Sequence, residues 1–305
     1  MKPTVFVQAN ASQMLGARIS AYSFKRNSHD PDSFDVRIIS SEEFPQLMQV
    51  GQTILRDGFV RGWDPDDLQS FTPLRFAPPS LMGFDGRALV VDPDCFAVSD
   101  VAELFGTDLE GKAIGAVWQR PSTGKEPRWA SSVMLLDCAK LRHWEFDRLL
   151  SGLFAHEFDY LPWNRLELED PRTIGRLEPK WNSFDVLTPE TGILHTTRRR
   201  TQPWKTGLPV DYTLHEAKRF RFASSIWTPR YSRHPDPKVE AFIYSLLAEM
   251  LDAGAVSENE LRAEMAANHI RHDSLRLIER YRGWELARRA AGLGGARVSV
   301  GSSSR

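Results

Sequence analysis

The chain has 305 residues, 41% hydrophobic and 26% charged, which is ordinary globular usage and excludes a wholly disordered or fibrous chain. That length allows one large or two smaller domains with enough buried core for an internal site. Thirty-nine basic residues against 40 acidic ones leave a formal net charge of −1, so no global field recruits nucleic acid or a membrane.

In chain order, the β-branched run Thr4 to Gln8 predicts a strand, followed by the polar stretch Ala9-Asn10-Ala11-Ser12. Ser12 can cap a helix through its hydroxyl, and Met14, Leu15, Ile19 and Tyr22 recur at helical spacing behind it. Further strands are expected at Val36–Ile39, Ala88–Val91, Ala113–Val117 and Val133–Leu136. Short strands separated by helix-length connections predict an α/β fold, with a mostly parallel twisted sheet covered by helices on both faces. Pro162, Pro171, Pro179 and Pro189 interrupt any long helix between Tyr160 and Glu190. Beyond Pro209 the pattern turns helical: Phe242, Leu246, Leu247 and Met250 mark one amphipathic helix, and Ser257 with Glu260 forms a capping-box pattern for another. The expected organisation is a catalytic portion over 1–210 and a helical C-terminal appendage over 211–305, ending in a Gly- and Ser-rich tail.

Two cysteines, Cys95 and Cys138, cannot build a disulfide framework and suggest a reducing compartment. The opening MKPTVFVQAN has an apolar run only from Val5 to Val7, too short for a secretory core, and no run of about 18 apolar residues offers a membrane span. A cytoplasmic protein is expected. Several motifs fail on spacing. Gly124-Lys125 is followed by Glu126 rather than Ser or Thr, and His156-Glu157 and His215-Glu216 lack the second zinc-protease histidine. GxGxxG after the first strand and GxSxG are also absent.

Asp-Pro-Asp occurs three times, at Asp30/Asp32, Asp64/Asp66 and Asp92/Asp94. The first two copies sit among polar residues and read as solvated turns. Only the third follows an apolar strand, in RALVVDPDCF. Ligands of open α/β sheets bind beyond the carboxyl ends of strands, where two carboxylates can converge on a hard divalent cation that bridges to substrate phosphates. The alternative is a strand-terminating turn.

This neighbourhood resembles family 8-type glycosyltransferases of the GT-A fold. The stretch FTPLRFAPPSLMGFDGRALVVDPDCFAVSDVAELF, residues 71–105, follows that family's order of an Arg-bearing helix, a strand, a DxD pair and a D-x-x-E-L-[WF] helix start. Ser132 to Leu136 resembles its G-V-M-L-I strand, WNSFDVLTPETGILHTTRRRTQPWK (181–205) its W-N … H … K-P-W ending, and Phe6 to Ser23 its first strand and helix. The resemblance implies a GT-A-like fold and transfer of a sugar from a nucleoside diphosphate sugar, such as a UDP-sugar, to a hydroxyl of a carbohydrate or lipid-linked acceptor, with retention of configuration. It implies Asp92, Asp94 and His195 as ligands of Mn²⁺ or Mg²⁺, with Arg75 beside the sugar-phosphate. Gln8, Ala9, Asn10 and Ser12 would lie near the nucleoside. Three departures stand out. Gln202 replaces the family's Lys, so Lys205 or one of Arg198, Arg199 and Arg200 would have to meet the distal phosphate. Ala130 or Ser131 replaces its Asn, and its Asp-Gln pair has no clear counterpart between Asp159 and Asn164. A non-catalytic nucleotide-sugar binder and a sugar nucleotidyltransferase are the alternatives.

Trp118, Trp129, Trp163, Trp181 and Trp204 offer flat surfaces for sugar C–H faces or for core packing. Arg276, Arg280, Arg282, Arg288 and Arg289 accompany Leu277, Ile278, Tyr281 and Trp284 in the last helices. They suggest either a helix packed on the body with a basic outer face or weak peripheral contact with an anionic membrane.

Overall fold

The computed structural model describes residues 1–120, 126–212 and 229–285. Among the described residues there are eleven strands: β1 (Thr4–Ala9), β2 (Asp35–Ser40), β3 (Thr53–Arg56), β4 (Phe59–Gly62), β5 (Arg87–Val91), β6 (Cys95–Ala97), β7 (Ile114–Gln119), β8 (Arg128–Asp137), β9 (Ile174–Arg176), β10 (Ser183–Phe184) and β11 (Ile193–His195). The helices are α1 (Met14–Arg26), the one-turn α2 (Pro45–Met48), α3 (Pro78–Leu81) and α4 (Ala102–Phe105), then α5 (Phe146–Phe154), α6 (Tyr160–Asn164), α7 (Pro237–Asp252), α8 (Glu258–Ala266) and α9 (Ser274–Tyr281).

The central sheet runs β2-β1-β5-β8-β7-β9. Three pairings are parallel (β1 with β2, β1 with β5, β7 with β9), whereas β8 runs antiparallel to both β5 and β7. All five strands expected from sequence are present in it. Their alternation divides the core: Phe6, Ala88, Val90, Met134 and Leu136 face one hydrophobic layer, and Val5, Val7, Leu89, Val91, Val133 and Leu135 face the other. Because β8 is reversed, its first residues lie at the same sheet edge as the last residues of β1 and β5. That edge carries the site. A smaller sheet, β10-β11-β6, holds His195 opposite Cys95.

Helix α1 is buried on two sides. Ala17 and Phe24 pack on the sheet, while Leu15 and Ile19 join Phe96, Leu194, Trp204 and the apolar faces of α7, α8 and α9 in a third cluster. The Arg26 guanidinium reinforces this contact by pairing with both Glu249 oxygens, at 2.8 and 2.7 Å. The capping box of Ser257 and Glu260 is formed. The α1 entry is capped differently from expectation: Asn10, not Ser12, accepts from the Gln13 N–H of a preceding 3-10 turn, and the Ser12 hydroxyl donates to Asn10 Oδ1. In α9, Leu277 and Ile278 face the core, Arg276 pairs with Asp273, and Arg282 pairs with Glu279 and Asp252. Intramolecular carboxylates therefore neutralise Arg276 and Arg282. Arg288, Arg289, the 292–305 tail, Gly124-Lys125 and His215-Glu216 lie outside the described residues. Among the described residues no helix is long and apolar enough to cross a membrane. Both cysteines are buried and free.

Candidate active site

The first two Asp-Pro-Asp copies form exposed turns, in which Asp30 Oδ1 accepts from the Asp32 N–H and Asp64 Oδ1 from the Asp66 N–H. The third copy leaves β5 into a cleft of about 520 Å³. Helix α1 presses against it: a Cβ at Gly16 would lie 3.0 Å from the Pro93 carbonyl oxygen. Glycine thus lets the helix seat directly on the turn between the two aspartates.

Asp92 and Asp94 have separate partners. Asp92, 5% exposed, accepts from Arg75 Nε at 2.9 Å, from Arg75 Nη2, and from Gln8 Nε2 at 2.5 Å. Arg75 Nη1 also donates to Ser131 Oγ at 2.9 Å and to Asn164 Oδ1 at 2.7 Å, so four of its five N–H groups are used. Burial opposes the Arg75 charge, but Asp92 more than compensates and the pKa is raised. Arg75 and Asp92 thus form a neutral pair in the cleft floor.

Asp94 faces His195 instead, with Nε2 to Oδ1 at 3.4 Å. On the other side of the ring, Nδ1 lies 2.8 Å from Asn182 Oδ1 and 3.2 Å from Ser132 Oγ, and Asn182 Nδ2 donates to Ser132 Oγ. Anchoring Nδ1 aims Nε2 at Asp94 and the cleft, the arrangement that orients metal-binding imidazoles. Burial disfavours a charged His195, but Asp94 outweighs it and the pKa is raised. Ligand atoms of Asp94, Cys95 and His195 lie within 4.8 Å of one another. Burial, then Asp94 and Asp92, push the Cys95 thiol well up, which keeps it a protonated, poor ligand. The donor set that fits a divalent cation is therefore the Asp94 carboxylate with the His195 imidazole. Asp92 could join only by sharing an oxygen that Arg75 already holds.

Gln202 Nε2 sits 3.3 Å from Asp94 Oδ2, and its Oε1 is buried with no hydrogen-bond partner. Gln202 lines the cleft and Lys205 does not. Lys205 is fully buried and paired with Asp211, which corrects its assignment as a phosphate contact. Arg199 is the member of the arginine run that lines the cleft. Gln8 and Ala9 are wholly buried, and Asn10 is spent on the Asp67 carbonyl and Ser70 Oγ. From this stretch it is Gln13, with its Oε1 unpartnered, that reaches the cleft beside Gln69, Phe71 and Thr72. Of the five tryptophans, Trp163, Trp181 and Trp204 are core, and Trp129 lines the cleft with Trp118 edge-on behind it. Sequence reasoning missed Gln13, Asn164 and the Ser132–Asn182 anchor. Asn182 was visible only as part of the W-N pattern.

No known family profile matches the sequence, and no curated protein matches it. Among solved structures the chain is similar to the glycosyltransferase GlyE of Streptococcus pneumoniae TIGR4, at 19% identity and TM-score 0.47 over 68% of this chain and 58% of that one. It is similar to the galactosyltransferase LgtC in complex with donor and acceptor sugar analogues, at 14% identity and TM-score 0.46, covering 73% and 98% of the two chains. It is also similar to mouse xyloside xylosyltransferase 1, at 14% and 0.42, covering 65% and 98%. The chain thus spans under three fifths of the pneumococcal protein. At these values the functional reading rests on the site itself.

Proposed function

We propose that this protein is a glycosyltransferase of GT-A-like architecture, moving a sugar from a nucleoside diphosphate sugar to an acceptor hydroxyl with retention of configuration. The supporting observation is the meeting of Asp94 and an Nδ1-anchored His195 at the carboxyl edge of the sheet, beside the Arg75–Asp92 pair. Asp94 and His195 would hold a divalent cation, Mn²⁺ or Mg²⁺, which when bound supplies Lewis-acid stabilisation to the departing diphosphate. The protein's own contribution is positioning and electrostatics. Arg75, immobilised by four hydrogen bonds, offers its remaining Nη2 N–H to an anionic oxygen from a floor that cannot reorganise. Gln202 Oε1 and Gln13 Oε1, buried and without partners, are acceptors for donor hydroxyl or N–H groups. Among the described residues, the carboxylates lining the cleft are Asp92 and Asp94. One is held by Arg75 and the other by His195, so neither is free as a covalent nucleophile, which favours same-face displacement over double displacement.

Incubation with Mn²⁺ and a panel of UDP-sugars tests this reading. Release of UDP, lost in Asp94→Asn, is expected. Binding without turnover would make the protein a nucleotide-sugar binder, and pyrophosphate release from UTP and a sugar phosphate would make it a nucleotidyltransferase.

A further inference from the structure

Among the described residues five arginines line the cleft, Arg56, Arg75, Arg128, Arg165 and Arg199, against two aspartates, Asp92 and Asp94. A divalent cation and a donor diphosphate roughly cancel each other, so the lining stays net positive even when loaded, with Asp67, Asp159 and Glu167 acting on Arg199, Arg56 and Arg165 from outside it. The excess is not spread evenly. Across the sheet edge, Gln13 follows β1, Asp92 and Asp94 follow β5, and Arg128 begins β8 opposite Gln119 at the end of β7. A nucleotide laid from β1 to β5 puts its glycosyl group toward Arg75, and the cleft continues past it to Arg128, Trp129 and Arg165. Arg128 and Arg165 both line this end, on either side of the hydrogen bond from Ser131 Oγ to the Asn164 carbonyl at 2.5 Å. Burial first, and then the Arg165 charge, push the Arg128 pKa down, against a smaller opposing influence of the Glu167 carboxylate. Among the described residues no carboxylate lies within 4 Å of Arg128, and Arg165 meets only Glu167, at 3.8 Å and about half exposed. Glu167 offsets these two charges only from a half-exposed position, so an anion entering the cleft between them is favoured.

We propose that Arg128 and Arg165 form an acceptor subsite for an anionic sugar, one whose carboxylate or phosphate group bridges the two guanidiniums while its ring packs on Trp129. Forked guanidinium donors suit the planar or tetrahedral oxygens of such groups. The inference rests on the glycosyltransferase reading, and it supplies the acceptor class that the sequence left open.

The test is a ligand-observed NMR titration of the full chain, with UDP and Mn²⁺ present, using glucuronic acid, glucose 6-phosphate and neutral glucose. At least one anionic sugar should bind about tenfold or more tightly than glucose, and the better of the two identifies carboxylate or phosphate as the recognised group. That advantage should disappear in Arg128→Gln and Arg165→Gln, while UDP affinity stays within about twofold of wild type and thermal melting confirms folding. Equal binding of all three sugars to the wild type would overturn the proposal. So would variants that lose UDP affinity but keep the anion preference, since the pair would then serve the donor diphosphate. Failure of the wild type to bind UDP would instead sink the donor reading, and the three-sugar comparison would still decide the subsite.

Discussion

Replacing Arg75 with Leu should leave the Asp92 carboxylate nearly unsolvated and with one hydrogen bond in place of three. The side chains of Arg75 and Asp92 are 11% and 8% exposed, so water replaces the lost guanidinium only in part, through the cleft that both line. Stranding one member of a buried ion pair costs about 3 to 5 kcal/mol. The loss of the Nη1 donor to Ser131 Oγ and Asn164 Oδ1 belongs to the same deletion, and Leu recovers part of the packing of the arginine stem. Replacing both residues, Arg75→Leu with Asp92→Leu, removes the buried charge altogether. It still leaves Gln8, Ser131 and Asn164 short of partners at about 1 kcal/mol each. The double variant should therefore be more stable than Arg75→Leu alone by about 1 kcal/mol or more, although it carries one more substitution. Urea unfolding with an unchanged m-value measures both quantities. An Arg75→Leu loss below about 1 kcal/mol, or a double variant as unstable as the sum of the singles, would show that the pair is not a buried, mutually neutralising unit.

Three further outcomes follow from local geometry. Gly16→Ala in α1 should destabilise and weaken UDP binding, because its Cβ would press on the Pro93 carbonyl at 3.0 Å. An ordinary helix-interior exchange of this kind gains about 1 kcal/mol, so a stabilised variant with intact binding would refute the close contact. Asn182→Ala, which leaves His195 Nδ1 only the Ser132 hydroxyl at 3.2 Å, should lower Mn²⁺-dependent UDP affinity by about 10-fold or more in calorimetry, with Asn182→Asp restoring part of it; unchanged affinity would remove the anchor from the account. Asp159 caps α6 through the Leu161 N–H and also accepts from the Gly58 N–H of the β3–β4 hairpin. Burial opposes its charge, but these N–H donors prevail and its pKa is lowered. Its stabilising contribution is therefore present above its unfolded pKa of about 4 and is lost as pH falls through the lower folded value. Asp159→Ala should cost about 1 kcal/mol at neutral pH and show a smaller loss on acidification than wild type; parallel pH profiles would contradict the assignment.

The strands that build the sheet were legible because β1, β5 and β8 are buried on both faces and read as apolar runs. Their direction was not, since side-chain alternation is the same either way along a strand, and the reversal of β8 brings Arg128 and Ser131 to the site edge. Asp94 and His195, 101 positions apart, could be paired only through the resemblance. The resemblance set Arg75 near the sugar-phosphate and the acidic pair, but that it would take Asp92 as its own partner was not legible, because an acidic residue after a strand suits a metal and a guanidinium equally. Lys205 misled for a related reason: a lysine beside Pro203 and Trp204 looks like a phosphate contact until the fold turns it inward to Asp211. Ser12 and Asn10 carry equally good capping oxygens, and backbone geometry chose Asn10.

The most direct test of the account is a calorimetric titration of UDP into the protein with Mn²⁺ and then with EDTA, repeated for Asp94→Asn. The account predicts affinity at least about 10-fold higher with Mn²⁺ in the wild type, and no such difference in the variant. Equal UDP affinity with and without the cation in the wild type would contradict it.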